Sequence, residues 1–291
     1  MPTRPRPRHA LLILLALLAL AGMGGCATTL IYERADRLAN RWVGGYLELD
    51  PAQRELVDRG FTELHDWHRR EQLPAYAAWL RGAAARLADD APFSAEELRA
   101  RGMEMGAFWH ALAAAGLPVL VELGAGLDDA QVAELLAAVR EEQQKQFDEA
   151  ARRTEAWHAQ RRIRSMERFL RRWAGRLSEE QRVAMHGWTE QLEPTRAGSF
   201  ENRAGWVDEL EAALAERDDP AALRAAAERL FVRPTERWSP DYAAMVERNS
   251  ARTLRFMADF LDGLEDQQRA RAIERLERLA AQLEQLAAAG G

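Results

Sequence analysis

The sequence has little of what builds sheets and cross-links. Val, Ile and Thr together supply 23 of 291 residues. Strands are built largely from these stiff β-branched side chains, so a β-rich fold is excluded. A single cysteine excludes a disulfide scaffold. Signatures of catalysis are missing too. There is no Gly-x-Ser-x-Gly elbow, no His-Glu-x-x-His, no GxGxxG and no P-loop spacing. The formal net charge is −6, which lacks the basic footprint of a nucleic-acid binder. Lysine occurs once, at Lys145, beside 39 arginines, and this excess reads as compositional bias and not as a recognition code. What is abundant is Ala, Leu, Arg and Glu, the strong helix formers. With 47% hydrophobic content the chain has enough apolar material for a packed core.

The N-terminus carries Arg4, Arg6 and Arg8 and no acid, then an unbroken apolar run from Ala10 to Gly22, then Met23-Gly24-Gly25-Cys26. A positive segment, a short apolar segment and small residues before a cut are the parts of a secretory signal. The run is shorter than the roughly 20 residues a spanning helix needs. Small residues directly before Cys26 resemble the lipobox of bacterial lipoproteins, with Met23 where that motif usually has Leu. The resemblance implies that residues 1–25 are removed and that Cys26 becomes the acylated N-terminus. Ala27, which is not Asp, implies sorting to the outer membrane. An uncleaved anchor helix from Ala10 to Tyr32 is the alternative. Both readings place residues 26–291 outside the cytoplasm as a helical periplasmic body, tethered to the membrane by its N-terminus.

Helical periodicity runs through most of that body. Ile31, Ala35, Leu38, Trp42 and Tyr46 mark one face of a first helix. Asp50-Pro51 opens a second, expected to reach Leu87 with Pro74 kinking or interrupting it. Ser94 opens a third, expected to end near Ala115, where Gly116, Pro118, Gly124 and Gly126 predict a broken stretch. From Leu127 no Pro or Gly occurs until Gly175, which predicts one rod of about 45 residues and about 65–70 Å. Shorter helices follow after Ser178, around 200–215, and after Asp219, Ser239 and Leu264. The expected fold is all-α, an extended multi-helix bundle with one very long central helix. Candidate subdivisions lie near 116–127 and 194–200.

A Leu-[Asp/Ser/Glu]-x-x-Gln box occurs four times, at Leu49, Leu127, Leu177 and Leu264. Each reads as a buried Leu, a capping residue and a Gln three positions on that reaches back to the cap. The irregular spacing excludes a solenoid repeat. The boxes resemble the Leu-Thr-x-x-Gln boxes of small periplasmic helical chaperones and stress sensors of the Spy and CpxP type, although none here has Thr. A wider resemblance rests on Trp42-x3-Tyr46, Leu49-Asp50-Pro51-x-Gln53, Trp67-His68-Arg69-Arg70-x2-Leu73-Pro74-x-Tyr76, the arginine run 161–172, Asn202-Arg203-x2-Trp206 and Pro240-x-Tyr242. Together these look like a family of bacterial lipoproteins known only as a domain of unknown function. That resemblance implies a lipid-anchored helical envelope protein and no particular activity.

Candidate chemistry is sparse. His65 and His68 stand at i,i+3, with Asp66 and Glu71 near, but both flank the apolar stripe of Val57, Phe61 and Leu64. The expectation is therefore packed imidazoles and no metal. His110, His158 and His186 stand alone. Lytic transglycosylases are helical envelope enzymes whose pattern begins with Glu-Ser, a dipeptide this chain lacks. No catalytic residue and no cofactor is expected. Trp67, Trp79 and Trp109 are candidates to line a groove. Between Glu149 and Arg176 nine Arg face three Glu. Arg161, Arg164, Arg168 and Arg171 share a face opposite Met166, Phe169, Leu170 and Trp173. They are the candidate partner-binding residues, for envelope proteins or anionic lipid head groups, against a plain solvated face. Three function classes follow. The first is a protein-binding or chaperone-like helical module, the second a structural scaffold of the outer membrane, and the third a cell-wall enzyme. A long concave apolar surface would favour the first, and a pocket of converging carboxylates the third.

Overall fold

The structure is a computed structural model and describes residues 43–289. Cys26, the signal segment and most of the first predicted helix lie outside these residues. The described residues form helices and no strand. In chain order the helices are α1 (Pro51–Trp67), α2 (Leu73–Leu87), α3 (Ala95–Ala125), α4 (Asp129–Ala151), α5 (Glu155–Ala174), α6 (Glu179–Gln191), α7 (Arg196–Ala215), α8 (Pro220–Ala227), α9 (Pro240–Asp262) and α10 (Asp266–Ala288).

Proline shapes two of these junctions in the same way. A π turn, His68–Gln72, joins α1 to α2, and Leu73 N–H bonds back five residues to His68 O. Pro74 follows directly. Its ring would clash with the carbonyl four residues back, and the wider turn makes room for it. A second π turn, Glu228–Val232, ends with Arg233 N–H on Glu228 O, and Pro234 follows. Pro234 has no N–H to give Leu230 O. The Trp206 indole N–H supplies that bond instead, at 3.2 Å.

The sequence reading fails at two places. The helix begun at Ser94 does not stop near Ala115 but runs through Gly116 and Pro118 to Ala125, making α3 the longest helix described. Ala114, whose carbonyl loses its partner to Pro118, is exposed, so water satisfies it. The glycines here serve close approach and not chain breaking. Gly116 meets Leu64 of α1, and Gly124 meets Leu214 and Leu223. Conversely, the expected rod from 127 to 175 is two helices. α4 ends at Ala151 without Gly or Pro, and Thr154 caps α5 by accepting from Trp157 N–H.

α1 crosses α3 where Gly60 is buried against Val119. A Cβ on Gly60 would lie 2.8 Å from Val119 Cβ, too close for a side-chain rotation to relieve. Gly60→Ala is therefore expected to lower stability by about 1–3 kcal/mol in urea unfolding, despite the better helix propensity of Ala. Val119→Ala in the same chain should recover part of the loss. An unchanged midpoint would mean that the two helices can part freely.

α2 lies antiparallel along α10, with Leu73 near Leu286 and Leu80 near Leu279, and Arg81 pairs with Glu277 and Glu284. Leu170, Met185, Phe256, Phe260 and Ala272 bring α5, α6, α9 and α10 into one core. Other clusters gather Leu117, Val121, Ala213 and Leu223, and Leu49, Val57, Leu127 and Leu214.

The four Gln boxes are helix starts, as the sequence implies. Asp50, Asp128 and Ser178 cap α1, α4 and α6 through their side chains. The boxes also pair across space. Gln53 and Gln131 exchange amide hydrogen bonds of 2.9 and 2.6 Å, and Gln181 and Gln268 exchange bonds of 2.8 and 3.0 Å. Each Oε1 also accepts the N–H of its own capping residue. Each Nε2 also donates to the carbonyl just before the partner box, on Gly126, Glu48, Gly263 and Arg176. All donors and acceptors of these amides are thereby used. The box leucines, Leu49, Leu127, Leu177 and Leu264, are all buried beside them. Two clasps result, one holding α1 to α4 and one holding α6 to α10.

Candidate functional site

Next to the first clasp the helices leave a cavity of about 450 Å³. Its wall is apolar: Leu123 from α3, Leu135 and Val139 from α4, Leu210 and Leu214 from α7, and Leu223 from α8, with Leu47 and Leu127 beside the clasp. The second π turn adds Leu230 and Phe231, held in place by the Trp206 indole bond. Polar groups gather at the rim. Arg203 donates to Gln146 Oε1 at 2.6 Å, and Gln143 Nε2 donates to the Arg203 carbonyl at 2.8 Å. Glu142 completes the rim. Burial raises the Tyr46 hydroxyl pKa above its ordinary value, and the Glu142 carboxylate adds to the shift, so Tyr46 keeps its proton. The Arg203 guanidinium is exposed and has no carboxylate partner among the described residues. On α3, Met105, Trp109 and Leu120 recur at near-helical spacing and are exposed, and Leu120 belongs to the cavity wall.

The cavity offers an apolar wall with its polar groups confined to the rim. The lining holds one carboxylate, Glu142, and no nucleophile paired to a base. Among the described residues no group of three or more His, Cys, Asp or Glu is placed to hold a metal.

The sequence-predicted candidates lie elsewhere. Arg161, Arg164, Arg168 and Arg171 sit exposed on α5, opposite the buried Ile163, Leu170 and Ala174. Arg171 lies 3.6 Å from Glu167, and Arg161 stacks over Trp157. His65 stacks on Phe61. His68 is buried in the first π turn, edge-on to Tyr76, and its pKa falls to about 4 through burial and then through the nearby His65. Of the three tryptophans expected near a groove, Trp109 is exposed on α3 and outside the cavity, while Trp79 packs into the α2–α10 seam. The cavity itself was not expected. Its signal was present, since Tyr46, Arg203 and Trp206 all belong to the motifs noted in the sequence.

Residues 45–243 match DUF6279, a family of unknown function. The chain belongs to that family. The match spans Tyr46, Arg203 and Trp206, and with them the whole rim and most of the wall of the cavity in this DUF6279 protein. No curated protein and no solved structure matches it.

Proposed function

We propose that this DUF6279 chain is a lipid-anchored envelope protein that binds a single-chain amphiphile, its acyl chain in the cavity and its anionic head at Arg203. The observation that carries the reading is the cavity: an apolar wall with polar groups confined to one side, among them the exposed Arg203 guanidinium, which is bonded to Gln146 and has no carboxylate partner among the described residues. A volume of 450 Å³ falls in the range of small-molecule sites. Two turns of helix with side chains, 10–12 Å across, fill about 1,000 Å³. The cavity is thus sized for an acyl chain, and a partner helix could only lie over its mouth. Each methylene buried adds about 0.8 kcal/mol, so even part of a chain gives useful affinity. The tether is supported by the lipobox-like Met23-Gly24-Gly25-Cys26.

Two experiments test the two halves of this reading. Cells grown with a photoreactive fatty acid should give adducts on peptides containing Leu123, Val139 or Leu210. Val139→Trp, which fills the cavity, should reduce those adducts at least tenfold. Adducts absent from these peptides, or indifferent to Val139→Trp, would refute the site. For the tether, Cys26→Ser should leave an unprocessed precursor without acyl label, and normal palmitate incorporation would rule out Cys26 as the attachment point.

A further inference from the structure

A second place on the molecule gathers charge of one sign. Along α5, Trp157, Arg161, Arg164, Arg168 and Arg171 follow one another at spacings of four, three, four and three residues, which keeps them on one stripe of the helix surface. At 1.5 Å per residue the stripe is about 21 Å long. Its four arginines are exposed, while Ile163, Leu170 and Ala174 on another side of α5 are buried in the core shared with α6, α9 and α10. Arg171 has Glu167 at 3.6 Å. Arg161, Arg164 and Arg168 form no ion pair among the described residues.

Aromatic rings accompany the cations. Arg153 and Arg161 both lie over the Trp157 ring, 5.1 and 5.4 Å from its centroid. Phe169, on the flank of the stripe, is 49% exposed. Because the buried side of α5 is locked into the core, the arginines form a fixed row and not a loose tail. A straight row on a convex helix makes no pocket for one small anion. It matches a surface that presents many phosphates side by side, and each planar guanidinium donor set fits phosphate oxygens. Trp and Phe beside such a row suit the boundary between head groups and acyl chains. The chain as a whole is acidic, at −6, and gains nothing from an anionic surface by its net charge. Salt confines these forces to roughly 8–10 Å, so the face in contact decides the outcome.

We propose that Trp157, Arg161, Arg164, Arg168 and Arg171 form a docking stripe for the surface of a bilayer containing anionic phospholipid, with α5 lying along that surface. The proposal rests on the tether half of the reading above and is independent of the acyl cavity. Between Cys26 and Val43 the chain spans about 60 Å at full extension. That exceeds the length of α3, the longest helix described, at about 46 Å, so the tether lets α5 reach the bilayer. A tethered face meets the bilayer at high effective concentration, and a weak attraction is then enough to set its orientation.

The full chain, extracted from membranes with its N-terminal anchor and reconstituted into vesicles, tests this. Ser165, exposed on α5 one turn from both Arg161 and Arg168, is changed to Cys and given a fluorophore that brominated lipids quench on contact. The unsubstituted chain, whose single cysteine is Cys26, supplies the background. Flotation with vesicles of phosphatidylcholine alone checks the tether separately. With about one third phosphatidylglycerol added, the label should be quenched at least threefold more strongly than in phosphatidylcholine alone, and the difference should shrink as salt rises. Arg161→Gln with Arg164→Gln and Arg168→Gln should abolish the difference. Should that triple variant fail to fold, Arg164→Glu gives the same reading with a smaller loss. Val139→Trp, which fills the acyl cavity, should leave the difference unchanged, so failure of one proposal does not carry over to the other. Equal quenching in the two kinds of vesicle overturns the proposal and leaves the stripe to an acidic protein. A difference that survives loss of the three arginines overturns it as well.

Discussion

Gln181→Ala is expected to cost about 3–5 kcal/mol. The loss of one side chain orphans several groups at once: the Ser178 N–H, the Gly263 carbonyl and both ends of the Gln268 amide. Gln268 is 4% exposed, so water cannot readily replace what is lost. A polar group left buried without a partner costs about 1–3 kcal/mol, and the sum is reduced where the chain relaxes. Gln181→Glu, nearly the same shape, should also be costly, because a carboxylate cannot donate to Gly263 or to Gln268. The pairing itself is tested by Gln181→Ala with Gln268→Ala. The double variant should lose less than the two single losses added, by about 0.5–3 kcal/mol. Single costs below about 1 kcal/mol, or strict additivity, would show that the second clasp has no energetic weight.

The second large effect is a dependence on acid. The His68 pKa is about 4 in the fold against 6.5 for a free imidazole, so the unfolded chain takes up the proton more readily than the folded one. Its contribution to stability is fully present above pH 6.5, is lost between pH 6.5 and about 4, and changes no further below that. The shift corresponds to about 3 kcal/mol. Urea midpoints measured at pH 7, 5.5 and 4.5 should fall steadily for the native sequence and much less for His68→Phe. A native midpoint that does not move over this interval would contradict the burial of His68. Glu193, held near pKa 2 in the fold by its hydrogen bonds to Arg248 and Arg252 against 4.5 in the free group, begins to lose its own contribution as pH nears 4.5, but it does so equally in both chains, so the comparison with His68→Phe isolates the histidine.

The helix starts were legible because capping is local: Asp50, Asp128 and Ser178 each act on residues within one turn. The partnership of Gln53 with Gln131, and of Gln181 with Gln268, was not, because nothing in a five-residue box specifies which other box it meets. Gly116 and Pro118 misled for a related reason. Their effect depends on whether a neighbouring helix needs the space or water reaches the freed carbonyl, and only packing decides that. The break at Thr154 carried a capping signal that the absence of Gly and Pro outweighed. The cavity draws its wall from separate stretches of chain, so periodicity could not assemble it. Its rim residues Tyr46, Arg203 and Trp206 were visible only as parts of a family pattern.

The two clasps also impose an order on the growing chain. A ribosome delivers residues from the N-terminus, and local segments fold as they emerge. The bonds between Gln53 and Gln131 become available once residue 131 is free, long before the partner of Gln181 has been made. One half of the polypeptide can therefore be fastened while Gln268 is still untranslated. A chain interrupted between these two moments would hold one closed knot and one open one, and Gln181 would present an unmatched amide to whatever amide-bearing surface it met first.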